Sequence, residues 1–226
     1  MTNHNCIKCK LRSELTKSLS DSEFNNLVEN SVTVSFKKGD LILKQNAFAL
    51  NIVYIKSGLV KTHISGPYKE RIHRILKAPS FLGIPTTFGD RINNYSATAI
   101  ADTTACFFDA SLFKELICQN GYFAYDIIEN LCKNELLNYN KFTNQLQKQI
   151  PGLVAEVLLC FSNSIYENNS FELPLTRSEL GDLIGTSRES VSRVLTDFSN
   201  ENLIKVQTKN ISILKKDVLM KISEKG

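Results

Sequence analysis

The chain predicts an α+β protein with three parts: an N-terminal β-roll, a long helix and a C-terminal winged helix-turn-helix. Three observations predict it. Between Val32 and Phe108, short β-branched or aromatic runs are broken repeatedly by glycine. From Ser111 to Ile150 the apolar residues change to helical spacing. From Thr176 two short segments with helix-start patterns flank Gly185, and a β-branched hairpin pattern follows.

The bulk numbers exclude several classes. With 226 residues, 42% hydrophobic and 22% charged, the chain has the composition of a globular protein of one large or two small domains. No apolar run is long enough to span a bilayer, and the stretch Met1 to Cys6 lacks a signal-peptide pattern. A cytoplasmic protein is expected, with no membrane partner. Six scattered cysteines do not make a disulfide framework, so a reducing compartment fits. With three histidines and no HExxH, Gly-x-Ser-x-Gly or GxxxxGK[ST] pattern, the usual catalytic signatures are missing and no enzyme is expected.

Taken in order, Ser20-x-x-Glu23 is a capping-box pattern that starts a short helix through about Asn30. Strands follow at Val32–Phe36, Leu41–Leu43, Asn51–Ile55, Leu59–Ile64, Arg71–Leu76, Ser96–Ile100 and Thr104–Phe108. That spacing suggests a sandwich or roll. His63 and His73, inside strand patterns, are expected to be ordinary surface or core groups. On the long helix Ile128, Cys132, Tyr139, Phe142 and Leu146 form a heptad-like seam that Glu135 interrupts. Cys118, Cys132 and Cys160 lie in apolar helical patterns and are expected in the core. Pro151-Gly152 is expected to end the helix and act as a hinge. Leu153, Val157, Leu158 and Phe161 then mark another helix.

The segment Thr176 to Arg193 is the most informative. Thr176-x-x-Glu179 is a capping box, Leu180, Leu183 and Ile184 form one apolar face, and Gly185 supplies the turn. Either Thr186 or Ser187 caps the second helix. Val191, Val194, Leu195 and Phe198 mark its buried stripe, which leaves Arg188, Glu189, Ser192 and Arg193 on the other side. Such a face near a helix N-terminus suits major-groove reading. Arginine can grip guanine O6 and N7, and glutamate can accept from cytosine N4. Leu203 to Leu214 reads as a hairpin around Thr208-Lys209-Asn210, the wing. Thr176, Arg177, Ser187, Lys205 and Lys209 are then placed for phosphates. The net charge is +4, yet residues 151–226 hold nine Lys or Arg against ten Asp or Glu. DNA binding would therefore rest on local placement rather than a domain-wide field.

Thr-Arg-x-Glu-Leu-Gly-x-Leu-Ile-Gly-x-Ser-Arg-Glu-x-Val-x-Arg resembles the DNA-binding signature of the CRP/FNR transcription regulators. Lys38-Gly39-Asp40, Tyr54-Ile-x-x-Gly58-x-x-Lys61 and Phe81-Leu82-Gly83 resemble the glycine turns of that family's sensor roll. The resemblance implies a cyclic-nucleotide-binding-like jelly roll over residues 1–112, a dimerisation helix over 113–150 and a winged helix-turn-helix over 151–226. It also implies a homodimer on an inverted-repeat operator of double-stranded DNA, with RNA polymerase as protein partner. Arg188, Glu189 and Arg193 match the CRP readers, and Glu189-x-x-Ser192-Arg193 matches the FNR pattern. A GTGA or TTGA-like half-site is expected.

What the sensor binds stays open at this point. In the cyclic-AMP-binding relatives, a glutamate holds the ribose and an arginine neutralises the phosphate. Ile84 and Tyr95 stand at those positions here, between Gly83 and Ser96, and Arg91 lies outside the motif. The expectation is a regulator not controlled by cyclic AMP. The resemblance also points to cysteine ligation: Cys6, Cys9 and Cys106 match three of the four FNR-type cluster ligands, and His4 could complete a mixed site. An iron–sulfur cluster or zinc, a redox dithiol, and no role at all are the three readings. A non-enzymatic scaffold for protein contacts is the remaining class.

Overall fold

The computed structural model describes residues 14–226. Contacts divide them into two compact units, one of residues 14–65 and 75–137, the other of residues 66–74 and 138–226.

Two four-stranded antiparallel sheets form the first unit, except that residues 70–74 of one edge strand belong to the second. The strands are β1 (Ser31–Phe36), β2 (Leu41–Leu43), β3 (Asn51–Ser57), β4 (Leu59–Ser65), β5 (Glu70–Lys77), β6 (Ser80–Leu82), β7 (Ser96–Ala99) and β8 (Thr103–Asp109). One sheet runs β1-β8-β3-β6 and the other β2-β7-β4-β5. Alternation sorts their side chains between two cores. Val53, Ile55 and Ala105 join Ile42, Val60, Ala97 and Ala99 between the sheets. Ile52, Tyr54, Cys106 and Phe108 point the other way, under helices α1 (Asp21–Glu29), α3 (Ala110–Gln119) and the start of α4 (Gly121–Gln147). Phe113 and Phe123 meet nearly edge-on there, with centroids 5.3 Å apart. Each fully buried ring of this kind contributes about 1.5–3 kcal/mol.

Helix α1 opens with the expected capping box of Ser20 and Glu23. The helical region after Ser111 is two helices rather than one, because Asn120 takes an extended conformation between α3 and α4. Nor does Pro151 end a helix. Helix α4 stops at Gln147, and Pro151 and Gly152 lie in the first turn of α5 (Ile150–Cys160). A proline is tolerated there because its missing N–H has no intrahelical partner in any case.

The three cysteines expected in the core are exposed. Cys118 and Cys160 each sit two residues past a buried leucine, Leu116 and Leu158, which is about 200° round the helix. Cys132 lies on the outward stripe of α4. His63 is buried, its Nε2 2.8 Å from Thr98 Oγ1.

In the second unit α5 packs on α8 (Lys216–Lys225), and α7 (Arg188–Asn200) packs on α5 and on α6 (Arg177–Ile184). Strands β9 (Ser170–Glu172), β10 (Ile204–Gln207) and β11 (Asn210–Ile213) form a small sheet in the order β10-β11-β9. Leu158, Leu180, Val191, Leu195, Ile204, Ile211 and Leu219 are buried. The hairpin turn is the two residues Thr208 and Lys209, since Gln207 pairs with Asn210. No helix among the described residues is long and apolar enough to cross a membrane.

Candidate nucleic-acid interface

Helix α6 starts with a complete capping box. Thr176 Oγ1 accepts from the Glu179 N–H at 3.2 Å, and Glu179 Oε2 accepts from the Thr176 N–H at 2.8 Å. Gly185 closes the helix at φ +87° and ψ 28°, a left-handed conformation that glycine reaches without steric cost. The N–H groups of Gly185 and Thr186 both donate to the Gly181 carbonyl, at 2.8 and 3.0 Å. A Cβ at Gly181 would stand 2.8 Å from the Thr186 carbonyl oxygen, so only glycine lets the turn fold so closely over α6.

Of the two candidate caps for α7, Ser187 is the one used: its hydroxyl accepts from the Ser190 N–H at 3.1 Å. The helix then buries Val191, Val194, Leu195 and Phe198. At about 100° per residue, Arg188, Glu189, Ser192 and Arg193 fall on an arc away from that stripe. Arg188, Glu189 and Arg193 are exposed and Ser192 is half-buried. The Glu189 carboxyl is held below its ordinary range by its own backbone N–H first, then by the Ser187 hydroxyl and the Arg188 charge. It is therefore ionised, and acceptor-only, at neutral pH.

The residues assigned to phosphates lie around this face. Thr176 and Ser187 are exposed N-cap residues, Arg177 is half-buried at the first position of α6, Lys205 is exposed on β10 and Lys209 is exposed at the hairpin turn. The arrangement is two helices at a tight turn, one with a polar outer face rich in arginine, beside a two-stranded hairpin with lysines. It suits a helix in the major groove with the wing against the backbone.

Residues 154–222 match the Crp-like helix-turn-helix domain, and residues 33–120 match the cyclic nucleotide-binding domain. The chain belongs to the CRP/FNR family of transcriptional regulators. It is 23% identical over 207 residues to the CRP-like cAMP-activated global transcriptional regulator of Mycobacterium tuberculosis, covering 89% of this chain and 92% of that one. It is also 23% identical to the fumarate and nitrate reduction regulatory protein of Vibrio cholerae, covering 91% of this chain and 84% of that one. FixK2 of Bradyrhizobium japonicum shares the fold at 17% identity and a TM-score of 0.77, over 85% of this chain and 96% of that one. The CRP/FNR regulator described here is thus a DNA-binding, non-enzymatic protein.

The residues expected to line an effector pocket are only partly brought together. Gly83, at φ +88°, donates its N–H to the Tyr95 hydroxyl at 2.9 Å. Ile84 is buried at the start of the short helix α2 (Ile84–Phe88). Ser96 accepts from the Gln45 N–H at 3.0 Å. Arg91 is exposed on the turn after α2, at φ +57°. Tyr95 thus places a neutral hydroxyl on the Gly83 amide. The role of Gln45 here is carried by a backbone donor, which residue type does not reveal.

Cys106 is buried in the helix-covered core, 3.4 Å from Thr33 Oγ1. His4, Cys6 and Cys9 lie outside the described residues. Among the described residues no group of three or more His, Cys, Asp or Glu is placed to hold a metal.

Proposed function

We propose that this protein is a sequence-specific regulator that binds an inverted-repeat operator as a homodimer, with α7 reading GTGA or TTGA-like half-sites. The observation that carries the reading is the face of α7, where Arg188, Glu189, Ser192 and Arg193 stand together opposite the buried stripe. Arg193 and Arg188 would grip guanines, Glu189 would accept from a cytosine, and Thr176, Arg177, Ser187, Lys205 and Lys209 would hold phosphates. Residues 1–112 act as sensor, the stretch 113–150 carries the dimer seam on α4, and 151–226 act as DNA reader, in the cytoplasm, with RNA polymerase as the protein partner.

The dimer reading is supported by α4. Ile128, Tyr139, Phe142 and Leu146 are exposed along it, Phe142 by 63% and Leu146 by 70%. Large apolar side chains at heptad spacing need a partner surface. Two recognition helices must also stand about 34 Å apart to enter successive major grooves.

Cyclic AMP is not the effector in this proposal. Ile84 offers no acceptor for a ribose hydroxyl, and the Tyr95 hydroxyl offers no charge to a cyclic phosphate. Calorimetry at micromolar cyclic AMP is expected to show no binding. The central test is fluorescence anisotropy on a palindromic GTGA-type duplex against scrambled DNA across a salt series. Wild type is expected to prefer the palindrome, with affinity falling steeply with salt. Arg193→Ala should lose about 1–3 kcal/mol of that preference. Equal binding of both duplexes by wild type and variant would refute the assignment.

A further inference from the structure

At the C-terminal end of α6, two side chains from elsewhere in the second unit converge. Gln145 of α4 donates its Nε2–H to the Leu183 carbonyl at 3.0 Å. The Arg71 guanidinium, from the hairpin tip of residues 66–74, lies against Gly185: a Cβ built there would stand 2.6 Å from Nη2 and 2.8 Å from Nη1. The last carbonyls of a helix lack intrahelical partners and carry partial negative charge. The Gln145 amide answers that need with a hydrogen bond, and the Arg71 cation stands beside the same helix end.

The two are also tied to their surroundings. One turn before Gln145 on α4, Lys141 donates to the His73 carbonyl, two residues beyond Arg71. One turn after, Lys148 pairs with Glu156 of α5 at 2.7 Å, and Asn144 donates to the same carboxylate at 3.2 Å. The last turns of α4, with Lys148 just beyond its end, thus hold the hairpin tip, α6 and α5. Between α6 and α7 stand only Gly185, Thr186 and Ser187, and the doubly bonded Gly181 carbonyl stiffens that link.

We infer that Arg71 and Gln145 are positioning residues for DNA reading: by holding the end of α6 they set the direction in which α7 presents its base-reading face. The inference rests on α7 being the DNA reader. Neither residue belongs to the reading face, so each acts through the α6–α7 turn.

The test uses the full chain as wild type, Arg71→Ala, Arg71→Lys, Gln145→Ala and the double alanine variant. Anisotropy is measured on a palindromic GTGA-type duplex and on scrambled DNA from about 50 to 300 mM salt, a range over which phosphate contacts are strongly weakened. Each alanine variant is expected to bind the palindrome about 2- to 30-fold more weakly, the usual range for coupling through a network. Scrambled-DNA affinity and the slope against log salt stay at wild-type values, and Arg71→Lys recovers most of the loss. Unchanged affinity for the palindrome overturns the inference. So does a slope smaller by about one in Arg71→Ala, because that marks a direct phosphate contact. Hydrogen exchange on the free proteins gives a second, DNA-independent readout: the amides of Gly185 and Thr186 should exchange faster in the double variant, and unchanged rates overturn the inference. If wild type itself fails to prefer the palindrome, the reading function falls, and the exchange rates alone then decide the positioning role.

Discussion

In the proposed reading, Glu189 would have to give up local partners before accepting from a base. Its carboxylate is stabilised by its own N–H and by the Ser187 hydroxyl at the start of α7, and those contacts compete with a cytosine amine. Arg188 and Arg193 are exposed on the same face, so the arginines should dominate affinity while Glu189 refines the choice of base. Lys141 gives a residue-level prediction of another kind. Burial first, then the charges of Arg74 and Arg71, push its pKa down from 10.5 to about 8, against the opposing pull of Glu156 and Cys160. Because its folded pKa lies below its unfolded one, the unfolded chain binds more protons between those values, and stability rises with pH across that window. The penalty is complete below about pH 8 and gone above 10.5. Lys141→Met should therefore gain stability relative to wild type at pH 7, and the gap should shrink as pH climbs from 8 towards 10. Urea denaturation across that range checks this, and a gap independent of pH would exclude charge burial as its cause.

The hairpin turn of the wing carries its own strain. Thr208 sits at φ +58° in a two-residue turn, a region that costs an L-residue roughly 1–2 kcal/mol and is rarer still for a β-branched one. Asparagine tolerates it better. Thr208→Asn should raise stability by about 0.5–1 kcal/mol, a part of that strain, and a thermal melt that does not move upward would count against it. The same turn shows how far the elements could be read in advance. The β10–β11 hairpin was legible because β-branched residues flank a polar turn, but its exact register was not. The roll strands were legible where apolar or β-branched runs stood between breakers, even in the three residues of β2. Strand β6, Ser80–Leu82, carries no β-branched residue and runs straight into Gly83, so it reads as part of a turn. Helix α2 was hidden because Gly83 and Pro85 look like breakers, although a proline in a first turn opens a helix; Pro151 misleads in the same way. The polar face of α7 was legible because 3.6-residue periodicity assigns both faces once Val191, Val194, Leu195 and Phe198 are seen. Arg71 was not, since its approach to Gly185 joins segments far apart in the chain, and no local pattern encodes such a contact.

At the scale of the whole molecule, α4 runs from the first unit into the second. Its first turns bury Phe123 and Ile127 within the first unit. Beyond them the apolar residues turn outward: Leu136 is 62% exposed and Tyr139 60%. A helix that buried this stripe inside its own chain would show a second apolar face against it, whereas here Tyr125, Ile128, Cys132, Tyr139, Phe142 and Leu146 continue one outward seam. Removing such side chains from water at about 25 cal/mol per Å² would supply the driving force for the proposed pairing of two copies. Charge placed in that seam should then break the dimer without unfolding the chain, because neither residue contributes to a core of the single subunit. Phe142→Glu combined with Leu146→Glu should convert a sedimenting dimer into a monomer with a wild-type melting profile measured at low concentration. Because an inverted repeat needs two readers in fixed relation, the monomer should lose the preference for the palindrome over a single half-site while keeping weak binding to each half. A variant that stays dimeric, or a monomer that still prefers the full palindrome, would show that α4 is not what pairs the recognition helices.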